Sequence, residues 1–575
     1  MPVHNEDIAV IFDEMADLLE IEEANPFRVR AYRNAARTIR GLGRELGEMV
    51  ASGEDLTRLP GIGKDLAAKI AEILASGHAK ALDELHKEVP ASLEALLKIP
   101  GLGPKRVKVL YKDLHIKTLK QLETAARRGR LSALPGFGAK TEQRILDAVG
   151  AKRSLEKRFL HNVARQYAEP LVHYLQKVSG VSDVVVAGSY RRGKETVGDL
   201  DILVTAKANS PVMQKFVAYD EVVETVSKGT TRATVFLRNG LQVDLRVVEQ
   251  QSFGAALHYF TGSKAHNIQV RRLGQQRGLK INEYGVFKGE ESIAGKTEAS
   301  VFKAVGLPFI PPELREGRGE IEAARAKKLP KLISREDLQG DLHVHTSATD
   351  GNASIEQMAL AAKQAGLKYM AITDHSQRLT IVHGLDRKRL QQQLEEIDKV
   401  NSKLTGITIL KGIEVDILED GSLDLPDSIL SKLDLVIGAI HTKFKMSRKK
   451  QTTRILRAMD HKYFSILAHP SGRLLEEREA YEVDMPRVIE AARQRGCYLE
   501  LNSQPQRLDL IDTYCQLAKE QGVLISINSD GHSTNGFELL EGGVSQARRG
   551  WLEKDDVLNT RSLREVRKLL KLTMG

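Results

Sequence analysis

Between residues 241 and 248 the chain alternates. Leu241, Val243, Leu245 and Val247 fall on one face of an extended strand, and Gln242, Asp244 and Arg246 on the other. Apolar runs at 184–186, 201–205 and 233–237 predict further strands, with helical stretches around them, over residues 155 to 320. The first 150 residues carry helical spacing alone. After Gly340 the rhythm becomes strand then helix, repeated. Apolar runs end at 341–345, 371–375, 412–414, 438–441, 467–469, 499–502 and 527–530. Seven such units predict a (β/α) barrel. Residues 313–337 are charged, with few large apolar side chains, and read as a last helix plus linker.

A glycine-rich pattern punctuates the helical part three times. It reads Leu59-Pro60-Gly61-Ile62-Gly63-Lys64, Ile99-Pro100-Gly101-Leu102-Gly103-Pro104-Lys105 and Leu134-Pro135-Gly136-Phe137-Gly138-Ala139-Lys140. A Pro-Gly-x-Gly turn opening a helix lets the main chain approach a ligand, because glycine has no side chain in the way. The N–H groups at the helix start then face outward as an anion site. Lys64, Lys105 and Lys140 add charge. This is the helix-hairpin-helix pattern, which holds nucleic-acid phosphates without reading bases. Alone it is an ordinary helix connection; three copies on a basic segment favour DNA.

Charge sharpens the division. The formal net charge is +10 over 575 residues, and residues 341–575 hold 33 basic against 33 acidic side chains. The whole excess therefore lies before residue 341, where a polyanionic partner is expected. No run approaches the roughly 18 uninterrupted apolar residues of a membrane helix, and the N-terminus lacks a secretion-signal pattern. Neither a membrane partner nor export is expected. Cys497 and Cys515 are the only cysteines, so no disulfide framework is implied, and a reducing cytoplasm is the expected compartment.

The middle segment carries candidate chemistry in Gly188-Ser189-Tyr190-Arg191-Arg192-Gly193-Lys194-Glu195-Thr196-Val197-Gly198-Asp199-Leu200-Asp201. Asp199 and Asp201 share one strand face. Carboxylates so close repel unless a cation sits between them, and a divalent metal meeting nucleotide phosphates is the natural reason for them. Fixing two metals needs a third acid. Asp244 supplies it if its strand lies beside Asp199 and Asp201. With Mg2+ or Mn2+ the set suits two-metal nucleotidyl transfer, with Arg192 placed to meet phosphate.

Eight of the 16 histidines lie after residue 340, six of them at or just after strand ends. His343, His345, Asp350, His375, Glu414, His441, His469, Asp530 and His532 are nine ligand-type residues on successive strand-end turns. In a barrel those turns meet at one face. Imidazole and carboxylate without thiolate suit Zn, Mn or Fe. Nine ligands exceed one tetrahedral ion and fit two or three, an arrangement suited to phosphoester hydrolysis. The run His441-Thr442-Lys443-Phe444-Lys445-Met446-Ser447-Arg448-Lys449-Lys450 adjoins them, either as a guide for a DNA strand or as a solvated surface.

Through these motifs residues 1–318 resemble the family X DNA polymerases, the family of DNA polymerase beta. The resemblance implies that Gly188, Ser189, Arg192 and Gly198 bind the triphosphate and that Asp199, Asp201 and Asp244 are the catalytic carboxylates. It puts Tyr259-Phe260-Thr261-Gly262-Ser263 against the incoming sugar, and Asn267 and Arg271 at the nascent base pair and template. Gln242 departs from the arginine of the vertebrate polymerase, and Val197 from a polar residue. A second family activity, removal of a 5′-deoxyribose phosphate through a Schiff base, would fall on Lys69; Asp65, His78 and Ala81 replace basic neighbours of the family.

Residues 338–575 resemble the PHP (polymerase and histidinol phosphatase) family. This implies one metal on His343, His345, Glu414 and Asp530, a second on Asp350, His375 and His532, and a third bridged by Glu414 to His441 and His469. His383 matches no ligand position. The order polymerase-then-PHP resembles the bacterial family X enzymes over nearly the whole chain. It implies filling of gapped or primer-template DNA with dNTPs, coupled to a Mn-dependent 3′–5′ exonuclease on single-stranded or damaged 3′ ends. Abasic-site cleavage or 3′-phosphatase activity accompanies it in some members.

The expected architecture is multidomain α+β and α/β. A helical 8-kDa-like domain (1–95) and a fingers-like helix-hairpin-helix domain (96–153) precede a nucleotidyltransferase palm (154–255) and a thumb (256–318). A linker (319–337) then leads to a distorted (β/α)7 barrel (338–575). A monomer is expected, in the cytoplasm with the nucleoid. The rivals are a polymerase whose barrel is a small-molecule phosphatase, and a DNA-binding scaffold with dormant sites.

Overall fold

Ile8, Phe12, Met15 and Leu19 recur three and four residues apart, and the helix they specify, Asn5–Ile21, buries all of them. The structure is a computed structural model describing residues 3–42, 44–89, 93–97, 99, 102–132, 134, 137–138, 141–142, 145 and 158–575. It forms two compact units, Met1–Lys157 and Arg158–Gly575.

The first unit is helical among its described residues. Helices Pro26–Arg40, Lys64–Ser76, Pro104–Leu114 and Leu119–Arg127 pack with Asn5–Ile21 around one core, which spans both of the helical domains expected from sequence. Ile62, Leu102 and Phe137, the residues between the paired glycines, are all buried in it. Pro100, Gly101, Pro135, Gly136 and Lys140 lie outside the described residues.

In the second unit a five-stranded sheet has the order Val181–Val186, Asp199–Ala206, Gln242–Val248, Arg232–Leu237, Val222–Lys228. Only Asp199–Ala206 and Gln242–Val248 pair parallel. Leu200, Ile202, Val243 and Leu245 bury beneath it with the helix His161–Gln176. The strand Val222–Lys228 was not expected, because this edge strand is almost wholly exposed and shows no burial alternation. The helix Phe253–Thr261 crosses the boundary expected at 255–256. A small antiparallel sheet, Lys280–Asn282, Gly285–Lys288 and Glu291–Ala294, follows and was also unexpected.

The segment 319–337 is not a free linker. Ile321 and Ala324 on the helix Glu320–Arg325 bury in the thumb core, and Ile333 buries in the barrel core and bonds through its N–H to Leu552 O at 3.0 Å. Its apolar residues are few, but they are spaced to reach both cores.

The barrel strands are Gly340–Val344, Tyr369–Ile372, Thr408–Lys411 continuing as Glu414–Asp416, Ile437–Ala439, Ile466–Leu467, Tyr498–Asn502 and Ile525–Asn528. Every pair is parallel. Bridges Val344 to Gly531 and His375 to Glu414 join the two arcs into a seven-staved ring. Most strand positions are buried, as expected for a sheet enclosed on both faces. Among the described residues, no helix is long and apolar enough to cross a membrane.

Candidate active sites

Gly63 and Gly103 are the N-caps of helices Lys64–Ser76 and Pro104–Leu114, and neither helix start receives a side-chain cap. Gly138 O accepts the N–H groups of Thr141 and Glu142 at 2.8 and 3.0 Å. Uncapped amides with exposed Lys64 and Lys105 beside them suit a phosphate. Lys69 Nζ lies 2.5 Å from Asp65 Oδ1. The pair is an i,i+4 contact with a well exposed carboxylate.

In the palm, Asp201 and Asp244 are direct register partners on neighbouring parallel strands, and Asp199 pairs with Gln242. All three acids therefore share one sheet face at one strand end. Asp244 is buried and accepts from Thr234 Oγ1 (2.5 Å) and Gln242 Nε2 (2.8 Å). The glutamine that replaces the family's arginine thus orients the third carboxylate. Burial, with Asp199 and Asp244 close by, pushes the Asp201 carboxyl up to about 7. Three carboxylates gathered on one strand end fit a divalent metal, which would offset their mutual repulsion.

Gly188 has φ +63°, and a Cβ there would come within 2.8 Å of Asp201 Oδ2. The turn can sit against the acid only without a side chain. Gly188 and Ser189 open the short helix Gly188–Arg191 after the strand Val181–Val186. Arg192 Nε meets Glu316 Oε1 at 2.9 Å, and its Nη1 donates to Thr261 O at 2.5 Å, beside Gly262. Gly198 adjoins Asp199 and lies by Arg158 Nη1. Tyr259 and Phe260 stand edge to face, with Arg271 over the first ring and Arg246 over the second. Asn267 Nδ2 donates to Tyr259 O at 2.7 Å. The residues named from sequence as nucleotide contacts therefore lie on the turn and helices around the acidic strand end.

In the barrel all nine candidate ligands converge. Glu414 lies at the centre. Its Oε2 is 2.7 Å from His375 Nδ1 and 3.6 Å from Nε2 of both His343 and His345, and its Oε1 is 3.0 Å from His469 Nε2 and 3.3 Å from His441 Nε2. Asp350 Oδ2 meets Nε2 of His375 (3.2 Å) and His532 (3.3 Å). Asp530 Oδ1 lies 3.2 Å from His345 Nε2. Three groups have donor atoms close enough for one ion each: His345, Asp350, His375, His532; His343, His345, Asp530; and His375, Glu414, His441. They overlap the partition implied by resemblance but differ in sharing His345 and His375 between groups.

These residues fit metal ions. Nε2 of His343 and of His345 face each other at 3.1 Å. His375 Nδ1 and Glu414 Oε2 stand 2.7 Å apart, both buried. Burial opposes charge on Glu414, yet His375, His441 and His343 hold its carboxyl well below the usual range. Burial, then His532 and His375, lower His345. Against the cost of burial, neighbouring carboxylates raise His343, His375, His441 and His532, so ionised carboxylates stand among imidazoles that would give up protons to bind a metal.

Several functional residues escaped the sequence. Glu500 Oε1 lies 2.7 Å from His343 Nδ1, and its Oε2 accepts the His469 N–H at 2.7 Å. Asp416 Oδ1 meets His441 Nδ1 at 2.9 Å, and Asn502 Nδ2 donates to Asp530 Oδ2 at 2.9 Å. A carboxylate behind a ligating imidazole fixes its tautomer and orientation. An acid inside an otherwise apolar strand, Leu499-Glu500-Leu501, was the available signal. Glu500→Gln is expected to weaken metal binding by the barrel about 10- to 100-fold; a Mn2+ binding titration checks this.

Known families match in chain order: a helix-hairpin-helix domain at residues 3–79, a SAM-like helix-hairpin-helix tandem at 93–151, the DNA polymerase beta palm at 161–273, the DNA polymerase beta thumb at 256–316, and the PHP domain at 341–530. The chain is 39% identical over 573 residues to the DNA polymerase/3′-5′ exonuclease PolX of Bacillus subtilis (strain 168), covering 99% of this chain and 100% of that one. It is 29% identical over 297 residues to DNA polymerase lambda of Rattus norvegicus, covering 46% of this chain and 49% of that one. It is 30% identical over 231 residues to a probable phosphatase of Thermoanaerobacter sp. (strain X514), covering 38% and 89%.

Proposed function

Since the chain belongs to the family X DNA polymerases that carry a C-terminal PHP domain, we propose that its two acid-rich sites divide synthesis from hydrolysis. The protein is a DNA-directed DNA polymerase with 3′–5′ exonuclease activity. The observation that carries the division is the register of Asp201 with Asp244, in a separate domain from the nine barrel ligands.

For synthesis, Asp199, Asp201 and Asp244 would hold two Mg2+ or Mn2+ ions. Such ions, when bound, make a primer 3′-hydroxyl more acidic and neutralise charge on departing pyrophosphate. The protein's own part is placement. Gly188 keeps side-chain bulk away from the acids, and Arg192 meets the triphosphate. The Tyr259–Phe260 edge packs the sugar, and Asn267, anchored on Tyr259 O, fixes that edge. The glycine turns of the helical unit grip gapped or primer-template DNA. Lys69 is the amine on which a lyase step would fall.

For hydrolysis, the nine barrel residues would hold two or three Mn2+, Zn2+ or Fe ions, which supply nucleophile activation and charge neutralisation at a phosphoryl centre. Glu500 and Asp416 keep His343 and His441 aimed inward. Exposed Lys443, Lys445, Lys449 and Lys450 follow the ligand His441 and favour a nucleic-acid strand over a small monoester. The substrates are 3′ ends of single-stranded or damaged DNA, including 3′-phosphates and abasic ends, and the setting is the bacterial cytoplasm, with the protein acting as a monomer in repair. Extension of a gapped primer with dNTPs tests the reading: Asp199→Ala should extend nothing, and persistent extension would overturn it.

A pH effect follows. Burial and the neighbouring acids hold the Asp201 proton up to about pH 7, and a cation bound there would have to displace it. Mg2+ affinity is therefore expected to rise with pH up to that value and level off above it. Calorimetry in buffers of different ionisation enthalpy should show about one proton released per site below pH 7 and none near pH 9.

A further inference from the structure

We propose that Arg549 of the barrel is a positioning residue for Arg192, which makes the hydrolytic domain a structural part of the nucleotide pocket. The inference rests on the reading of Arg192 as a triphosphate contact.

The turn carrying Arg192 is pressed onto the barrel at three points. Arg549 Nη1 donates to the main-chain O of Arg192 and to Glu316 Oε1, each at 2.9 Å, and its Nη2 donates to Asp512 Oδ2 at 2.6 Å. Arg473, four residues past the ligand His469, forks onto Glu195 at 3.1 and 2.7 Å and also donates to the main-chain O of Arg507 and Leu508. Between them Gly193 sits so close to the helix Leu540–Arg549 that a Cβ would come within 2.4 Å of Ser545 Oγ. Leu475 of the barrel packs against the palm core.

Charge makes the contact functional as well as mechanical. Glu316 Oε1 accepts from both Arg192 Nε and Arg549 Nη1. Asp512 in turn pairs with both Arg549 and Arg318, so three guanidiniums share two carboxylates and this cluster keeps one net positive charge. If Arg549 were absent, Glu316 would neutralise Arg192 alone and hold it back from phosphate. Arg549 is 4% exposed, so solvent screens this arrangement little. Its fork also needs arginine, because an ammonium cannot serve Glu316, Asp512 and a carbonyl in one plane.

The test is single-turnover incorporation on gapped DNA with the full chain, titrating one dNTP, alongside trimming of a single-stranded 3′ end by the same preparations. Arg549→Ala should weaken apparent dNTP affinity about tenfold while the maximal rate and trimming hold. Arg549→Lys should fall between. Arg549→Ala combined with Glu316→Gln should recover affinity, because no carboxylate then competes for Arg192. Unchanged affinity in Arg549→Ala beside a loss in Arg192→Ala overturns the inference. Loss of trimming together with dNTP affinity in Arg549→Ala, without rescue by Glu316→Gln, reduces the residue to general stability and also overturns it. If Arg192→Ala binds dNTP normally, the reading beneath the inference falls, and the inference with it.

Discussion

Asp201→Asn is expected to slow single-turnover nucleotide incorporation by on the order of 10³-fold, about 4 kcal/mol of transition-state stabilisation. Asp201 faces Asp244 across parallel strands and touches the turn at Gly188, so it is the acid through which metal, triphosphate and primer would meet. The loss should not come from misfolding, and the pH dependence of stability shows why. Burial and the neighbouring acids raise its folded pKa from 3.8 to about 7. The folded state therefore binds the proton more tightly than the unfolded state, and stability falls as pH rises through that window. Without divalent cations at pH 8, Asp201→Asn removes this penalty and should melt higher than the parent protein. With Mg2+ the order should narrow or reverse. Thermal melts with and without Mg2+, set beside incorporation rates, check both halves.

Glu414→Gln is expected to abolish 3′-end trimming by a comparable factor, about 10³-fold, and to lower bound metal. Its two oxygens stand within 3.6 Å of five imidazoles, those of His343, His345, His375, His441 and His469. No other residue among the described ligands joins so many. An amide keeps the shape but loses the charge that holds cations among buried histidines. Metal analysis after dialysis should show fewer ions per chain than in the unmodified protein, and added Mn2+ should restore trimming only in part. Incorporation should be retained, because Glu414 lies in another domain.

Much of this was legible in the chain because both sites are built at strand ends. Asp199 and Asp201 differ by two positions and must share a face, and the barrel ligands fall at the ends of seven apolar runs. The convergence of Asp244 was legible only as a condition, since nothing local fixes which strands pair. The register supplied it. Glu500 stayed hidden because a single acid inside an apolar strand looks like a solvent-facing position, whereas it is buried against His343. The strand Val222–Lys228 left no alternation to read, because both its faces meet solvent. Arg549 and Arg473 carry no signal at all. A basic residue in the last turn of a helix, as Arg549 is, is ordinary dipole chemistry, Arg473 sits in a loop, and only the fold shows that they reach Glu316 in the thumb and Glu195 in the palm. The segment 319–337 carries the expected last helix, Glu320–Arg325, but its two short apolar contacts with separate cores do not show in composition.

The most direct test of two independent pockets is one gel assay. A 5′-labelled primer on a gapped template is incubated with Mn2+, with and without dNTPs, using the unmodified protein, Asp201→Asn and Glu414→Gln. The expected result is reciprocal: Asp201→Asn shortens the primer but never lengthens it, and Glu414→Gln lengthens it but never shortens it. Extension surviving in Asp201→Asn, or both activities vanishing together in either folded variant, would contradict the division of labour.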